Sequence, residues 1–340
     1  MGATVPMSEQ PAPQASSIDV VTIGETLVLF HPLQEGPLAY APLFTRSLAG
    51  AESNLAIALA RLGKRARWIS RLGADPFGDL VAATLAGEGV DISQVVRDPG
   101  APTAIFFREF RGYGDPNVYY YRAGSAASRL CPADVRDEWF QGARHLHVTG
   151  ITPALGSQTA EAIESAMRRA RALGLTISFD PNLRRKLWSE EHARECILRL
   201  IPLCDLFLPG LDEVEFLTGA SSPDESARHL LDQGPEILVI KCGIDGASAY
   251  TRQASVHSPA YPVNHVVDTI GAGDAFDAGL LSVLLDAPPN RRSESEVLGE
   301  SLARANLMGA LATQFRGDWE GLPTLAEVQQ IQTGAKRVTR

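Results

Sequence analysis

The 340 residues allow one large domain or two ordinary ones, and a hydrophobic fraction of 45% can bury a substantial core. A net charge of −9 argues against nucleic acid as the main partner, and no apolar run reaches the length of a membrane span. An anionic small molecule stays open as a substrate, because it needs only local arginines and helix N-termini.

In chain order, Met1 to Ser17 is rich in Pro, Ala, Ser and Gln, with no basic start and no apolar block. It reads as a disordered tail over 1–17 rather than a secretory signal, with a second short tail over 336–340. Val20-Val21-Thr22-Ile23-Gly24-Glu25 predicts a first buried strand ending in a glycine turn. Pro32, Gly36, Pro37 and Pro42 then predict short strands or loops away from the main core. Leu48 to Asn54 leads through Gly50 into a helix from Leu55. It is apolar nearly all round and therefore buried, and it stops at Gly63. A strand over Ala66 to Arg71 and a helix over Leu80 to Glu88 follow, so the strands should be parallel with crossovers.

That rhythm breaks at Thr103 to Phe110 and Asn117 to Arg122, two β-rich runs around a Gly114-Asp115-Pro116 turn. An antiparallel hairpin is predicted. With its aromatics and arginines it is a candidate lid, and the competing reading is an edge hairpin with one buried face. Alternation resumes with strands at His145 to Val148, Thr176 to Asp180, Asp205 to Leu208 and Ile237 to Lys241. Helices are predicted over Ser157 to Leu173, Glu190 to Ile201, Asp212 to Leu217 and Ser226 to Gln233. Ala247 to Thr251 and Ser255 to His257 read as an antiparallel edge pair, and helices over Ala272 to Asp286, Glu294 to Gln314 and Leu325 to Gln332 close the chain. Cys131, Cys196, Cys204 and Cys242 form no CxxC, which suits buried thiols in a reducing compartment, with the cytoplasm as the expected location. His145 and His147 stand two apart on a strand, a spacing a metal could use, but no third ligand accompanies them.

The densest chemistry lies in Asp268-Thr269-Ile270-Gly271-Ala272-Gly273-Asp274-Ala275-Phe276, after a predicted extended run His265-Val266-Val267. Strand, glycine turn, helix is the order that makes an anion site. The glycines let backbone approach a ligand, and the first helical N–H groups have no intrahelical partner. Asp274 would repel a phosphate held there unless it takes a proton from the attacking group, which is the pairing phosphoryl transfer needs. Asp ahead of a helix is also often a plain cap. No Gly-Lys-Ser/Thr follows, and Phe276 stands where a dinucleotide fingerprint needs a third glycine.

The full string resembles the C-terminal signature of the ribokinase-like (PfkB) sugar kinases, and Gly50 to Gly63 resembles their N-terminal signature. Within that family the chain is most similar to 2-keto-3-deoxygluconate kinases. The strings that carry this are Tyr119-Tyr120-Tyr121-Arg122-x-Gly124-Ser125-Ala126, Leu146 to Leu155, Phe179-Asp180-Pro181-Asn182-Leu183-Arg184 and Gly317-Asp318-Trp319-Glu320-Gly321.

The resemblance implies a doubly wound α/β fold over 18–335, with a mainly parallel sheet and a small β lid over about 32–48 and 103–123. It implies ATP-dependent phosphorylation of a small sugar acid at a primary hydroxyl, with 2-keto-3-deoxygluconate as the expected substrate. Asp274 would be the base, and N–H groups of Gly271, Ala272, Gly273 and Asp274 the anion hole. Gly50, Asn54, Phe106, Tyr120, Arg122 and Arg184 would meet the substrate. Two guanidinium forks suit a substrate carboxylate. Phe106 stands where similar enzymes can carry Tyr. Glu213, Lys241, Gly243 and Gly246 would border the nucleotide, Glu213 touching Mg2+ through water, while Gly210 departs from the family's Asn. In some family members the loop at Asp268 and Thr269 shapes a monovalent-cation site, K+ being the ion. Partners would be the substrate and ATP, with no nucleic acid and no membrane, and a homo-oligomer is expected through the lid. Two alternatives stay open. One is a family kinase acting on a neutral sugar or nucleoside, such as fructose or ribose. The other is a sugar-acid-binding protein without turnover, which intact Gly271, Gly273 and Asp274 argue against.

Overall fold

The computed structural model describes residues 17–34, 36–111, 116–219 and 222–333. The tails and the Gly114-Asp115 part of the lid turn lie outside the described residues.

The chain opens with β1 (Ile18–Ile23), β2 (Leu27–Pro32), β3 (Phe44–Ala49) and α1 (Ala51–Arg61). β4 (Ala66–Ile69), β5 (Arg71–Gly73), α2 (Pro76–Gly87), β6 (Val96–Asp98), β7 (Ile105–Glu109) and β8 (Asn117–Tyr121) follow. Then come β9 (Ala143–Thr149), α3 (Ser157–Ala172), β10 (Thr176–Asp180), α4 (Glu190–Leu200), β11 (Leu206–Phe207), α5 (Leu211–Thr218) and α6 (Pro223–Leu231). The chain ends in β12 (Ile237–Lys241), β13 (Ala247–Tyr250), β14 (Ser255–Ser258), α7 (Ala272–Leu284), α8 (Ser295–Ala312) and α9 (Leu325–Gln332).

The main sheet has eight strands in the order β14-β13-β12-β11-β10-β9-β1-β4. It is parallel from β4 to β12 and antiparallel at the β12-β13-β14 edge. Its strands are apolar on both faces, as strands covered by helices on both sides must be. Alternate residues feed two cores. Val20, Leu206 and Val239 pack with α1, α7 and α8, while Val21, Phe207 and Leu238 pack with α3, α4 and α6. A separate four-stranded sheet, β3-β2-β7-β8, carries the expected antiparallel hairpin of β7 and β8. Its own core is small, with Leu27, Leu29, Ala49, Ala104 and Phe106 buried.

Four sequence readings change. His265-Val266-Val267 forms no strand: both valines are about half exposed, and Val267 and Asp268 instead donate N–H groups to the carbonyl of Thr313. β-branched residues favour strands only where a neighbouring strand can pair with them. α1 begins at Ala51 rather than Leu55, so Asn54 lies in its first turn. α2 begins at Pro76 rather than Leu80: Asp75 caps it by accepting the Gly78 N–H, and proline needs no partner at a helix start. The strand read over Ala66 to Arg71 breaks at Ser70 into β4 and β5, which belong to different sheets.

Candidate active site

Gly271 stands before the first turn of α7 with φ +77°, and a Cβ there would lie 2.2 Å from the carbonyl oxygen of Asp318. Glycine is thus required by both conformation and space. Gly273 differs. A Cβ on it would meet nothing within 4 Å, so the space before the first turn is open. The early N–H groups of a helix have no intrahelical partners, and the Ala272 N–H makes only a long 3.4 Å bond to the Thr269 carbonyl. Backbone donors and the helix dipole at such a helix start could hold an anion.

Asp274 sits in the same turn, 9% exposed, and accepts a hydrogen bond from Asn54 Nδ2 at 2.8 Å. Asn54 can reach it because α1 and α7 pack together. Burial pushes the Asp274 carboxyl up; the Asn54 bond opposes this, the Asp180 charge adds to it, and Arg184 and Lys241 pull the other way. A carboxylate raised in this manner is suited to accept a proton. Arg184 is exposed on the segment after β10, close enough to influence Asp274.

Beside this centre runs a network of buried charge. Lys241 Nζ lies 2.9 Å from Asp180 Oδ2 and 3.5 Å from Asp277 Oδ1. Burial alone would push this lysine down, yet Asp180, Asp277 and Glu213 together hold it up and charged. Asp277 is pushed well up by burial despite Lys241. Glu213 accepts N–H bonds from Leu183 at 2.6 Å and Gly210 at 2.7 Å, which position it, and burial and the charge of Asp180 raise it. Glu213, Lys241 and Gly243 line one cavity of about 510 Å³ with Leu183, Gly210 and Cys242. Gly246 does not line it: a Cβ there would meet the Ser258 carbonyl oxygen at 2.1 Å, so glycine is needed where the chain passes the end of β14.

On the lid, Phe106 is buried and stacks on Tyr120 at 5.3 Å, while Tyr120 is half exposed and the Arg122 guanidinium lies 5.4 Å from its ring. Arg122 Nη2 is 2.6 Å from Glu25 Oε2, and Glu25 also accepts from Ser125 Oγ at 2.5 Å. Gly50 closes the circuit, since a Cβ on it would meet the Glu25 carbonyl oxygen at 2.4 Å. Gly50, Asn54, Arg122, Arg184 and Asp274 therefore belong to one region, reached from both sheets.

Glu25, Glu52, Arg108, Asp180, Asp277 and Asp318 are buried ionisable groups here that were not picked out as site residues in the sequence. Glu52 is fully buried, accepts hydroxyl bonds from Thr149 at 2.7 Å and Thr152 at 3.1 Å, and burial pushes it up to about 7. The available signal was a charged residue inside an apolar stretch, as Glu52 is in α1 and Asp277 in α7. His145 and His147 share the Ser178 hydroxyl at 2.8 Å each, and burial depresses both, so they are neutral core residues.

The chain is 39% identical to 2-dehydro-3-deoxygluconokinase of Bacillus subtilis over 94% of its length and 97% of that protein's. It is 37% identical to fructokinase-1 of Zea mays over 92% and 97%. Among solved structures, an Escherichia coli protein described as a ribokinase II, in complex with ATP and Mg2+, superposes with a TM-score of 0.83 at 29% identity, covering 93% of this chain and 99% of that one. A Vibrio cholerae fructokinase double mutant with fructose, ADP and potassium ion bound gives 0.81 at 29% identity over the same shares. The family model for pfkB carbohydrate kinases matches residues 17–325, so the glycine turn, the start of α7 and Asp274 sit in a chain that belongs to the PfkB family of carbohydrate kinases.

Proposed function

We propose that the protein transfers the γ-phosphoryl group of ATP to the primary hydroxyl of a small sugar acid, with 2-keto-3-deoxygluconate as the substrate. The observation that carries this is Asp274, a buried and upshifted carboxylate directly beside unpartnered N–H groups and open space. Asp274 takes the hydroxyl proton as the oxygen–phosphorus bond forms and the bond to the nucleotide's bridging oxygen breaks. Asn54 holds the carboxylate in place through its amide. N–H groups of Ala272, Gly273 and Asp274 receive the charge on the equatorial oxygens.

The acid end of the substrate is assigned to Arg122 and Arg184. Arg122 is paired through Nη2 with Glu25, and its buried Nε has no hydrogen-bond partner. Arg184 is exposed and close enough to act on the charge of Asp274. The second reading, a neutral-sugar kinase, is favoured by the likeness to fructokinase-1. A coupled ADP-release screen over sugars and sugar acids separates the two: preference for fructose or ribose over the keto acid would overturn the first.

ATP would lie over the cavity at Glu213, Lys241 and Gly243. Bound Mg2+ would supply charge neutralisation at the phosphates. Among the described residues no group of three His, Cys, Asp or Glu could hold a metal by itself. That fits an ion held mainly by phosphates and water, with Glu213 touching it through water: burial disfavours the ionised form of Glu213, and a nearby cation would favour it. No helix among the described residues is long and apolar enough to cross a membrane. Four unpaired thiols support a reducing compartment, and we assign the protein to the cytoplasm. Leu33, Leu43, Phe44 and Tyr121 are exposed on or beside the small sheet, which supports pairing of two copies through it. Sedimentation should then give a dimer mass, and a monomer at assay concentration would refute the pairing.

A further inference from the structure

Arg108, on β7 of the small sheet, is only 1% exposed. Its Nη1 lies 2.8 Å from Asp268 Oδ2 and its Nη2 3.0 Å from Asp318 Oδ1. Both carboxylates border the anion loop. Asp268 stands three residues before Gly271, and its second oxygen accepts the Ile270 N–H at 3.1 Å. Asp318 abuts the loop from the other side, its carbonyl oxygen at the point a Gly271 Cβ would strike. One guanidinium thus fastens both walls of the loop to the lid sheet. A K+ expected at Asp268 does not fit this arrangement. One carboxylate oxygen already faces a fixed cation and the other a backbone donor, so a second cation would be repelled by the first.

We propose that Arg108 is a positioning residue for phosphoryl transfer, a built-in cation that clamps the anion loop at Asp268 and Asp318 and makes turnover independent of monovalent cations. The idea rests on the kinase reading above. The loop matters most when charge develops on the phosphoryl group, so loss of the clamp should appear in kcat more than in KM.

The test starts with the wild-type protein in KCl and in tetramethylammonium chloride at equal ionic strength, which holds screening constant. Equal turnover is expected; saturable activation by K+ of about tenfold or more would overturn the proposal, being far beyond a screening effect. Arg108→Gln should lose roughly 100-fold in kcat, the scale of a small misplacement of reacting groups. Arg108→Lys should keep most of the activity, and added K+ or low guanidinium should restore part of the Gln variant. A folded Arg108→Gln protein with wild-type kcat would overturn it, as would equal loss in both variants without rescue. Thermal melting gives a readout without turnover. K+ in place of tetramethylammonium should stabilise Arg108→Gln and leave wild type unmoved, and equal shifts would count against the clamp. Should wild type phosphorylate no sugar or sugar acid, the kinase reading fails while the melting comparison still decides the clamp. If Arg108→Gln does not fold, the Lys variant and the wild-type cation comparison decide it.

Discussion

At the scale of single residues, the reading turns on one carboxylate and two arginines. Asp274→Asn keeps the shape and the Asn54 neighbourhood but removes the base. Loss of a general base typically costs ~10²–10⁴-fold, and we expect kcat to fall by at least that while ATP still binds. The wild-type pH profile should show the same group. Asp274 must be ionised to work, and burial raises it, so kcat/KM should fall with decreasing pH along a limb lying above the ordinary carboxylate range. Near-normal turnover in the Asn variant would sink the mechanism. Arg184→Ala tests the substrate. A hydrogen bond to a charged group contributes about 1.5–3 kcal/mol, so the keto acid should lose roughly 10–100-fold in kcat/KM, mainly through KM. Slow reaction with neutral sugars should suffer much less, having no carboxylate to lose. Equal losses on both substrate types would make the arginine structural and favour the neutral-sugar kinase.

At the scale of elements, the start of α7 explains why two glycines in one motif are not equivalent. Gly271 has a left-handed backbone and the Asp318 backbone against it, so Gly271→Ala should lower the melting temperature as well as activity. Gly273 has helical surroundings and open space, so Gly273→Val should fold, with circular dichroism close to wild type, yet lose turnover because the side chain occupies the phosphate's position. Normal turnover in that variant would remove the anion hole. α1 shows a related effect. Because it begins at Ala51, Glu52 and Asn54 both fall within its first turn, one packed against Gly24 and the other bonded to Asp274. A helix starting at Leu55 would have left both in a loop.

For the molecule as a whole, the lid sheet is joined to the body by buried charge as well as by its own small apolar core. Arg122 meets Glu25 at the end of β1, and Arg108 meets the loop before α7. Buried charges are costly, and Glu52 offers a measurement of that cost. Its folded value is about 7, above the ordinary 4.5. The unfolded chain therefore releases its proton first, and this group's contribution to stability falls as pH rises from the lower value to the higher. Glu52→Gln mimics the protonated form. It should melt above wild type at pH 8, by a difference on the order of 1–3 kcal/mol, and the gap should close toward pH 5. A gap that stays constant with pH would mean Glu52 is not the titrating group.

The alternation of apolar strands and helices was legible along the chain because parallel strands covered on both faces must be apolar throughout, and the order of elements follows from that. Asp274 and its glycines were legible because the glycine turn and the helix start are consecutive, so local chemistry and local geometry coincide even without the strand expected before them. Asn54 was placed at the site, but its bond to Asp274, 220 positions away, was not visible. Nor was the pairing of Arg108 with Asp268, 160 positions on, or of Lys241 with Asp180 and Asp277. A charged residue in an apolar segment announces that it needs a partner, since leaving it alone would cost several kcal/mol. Which partner it takes depends on which strand ends and helix starts the sheet order brings together, and only the folded chain sets that.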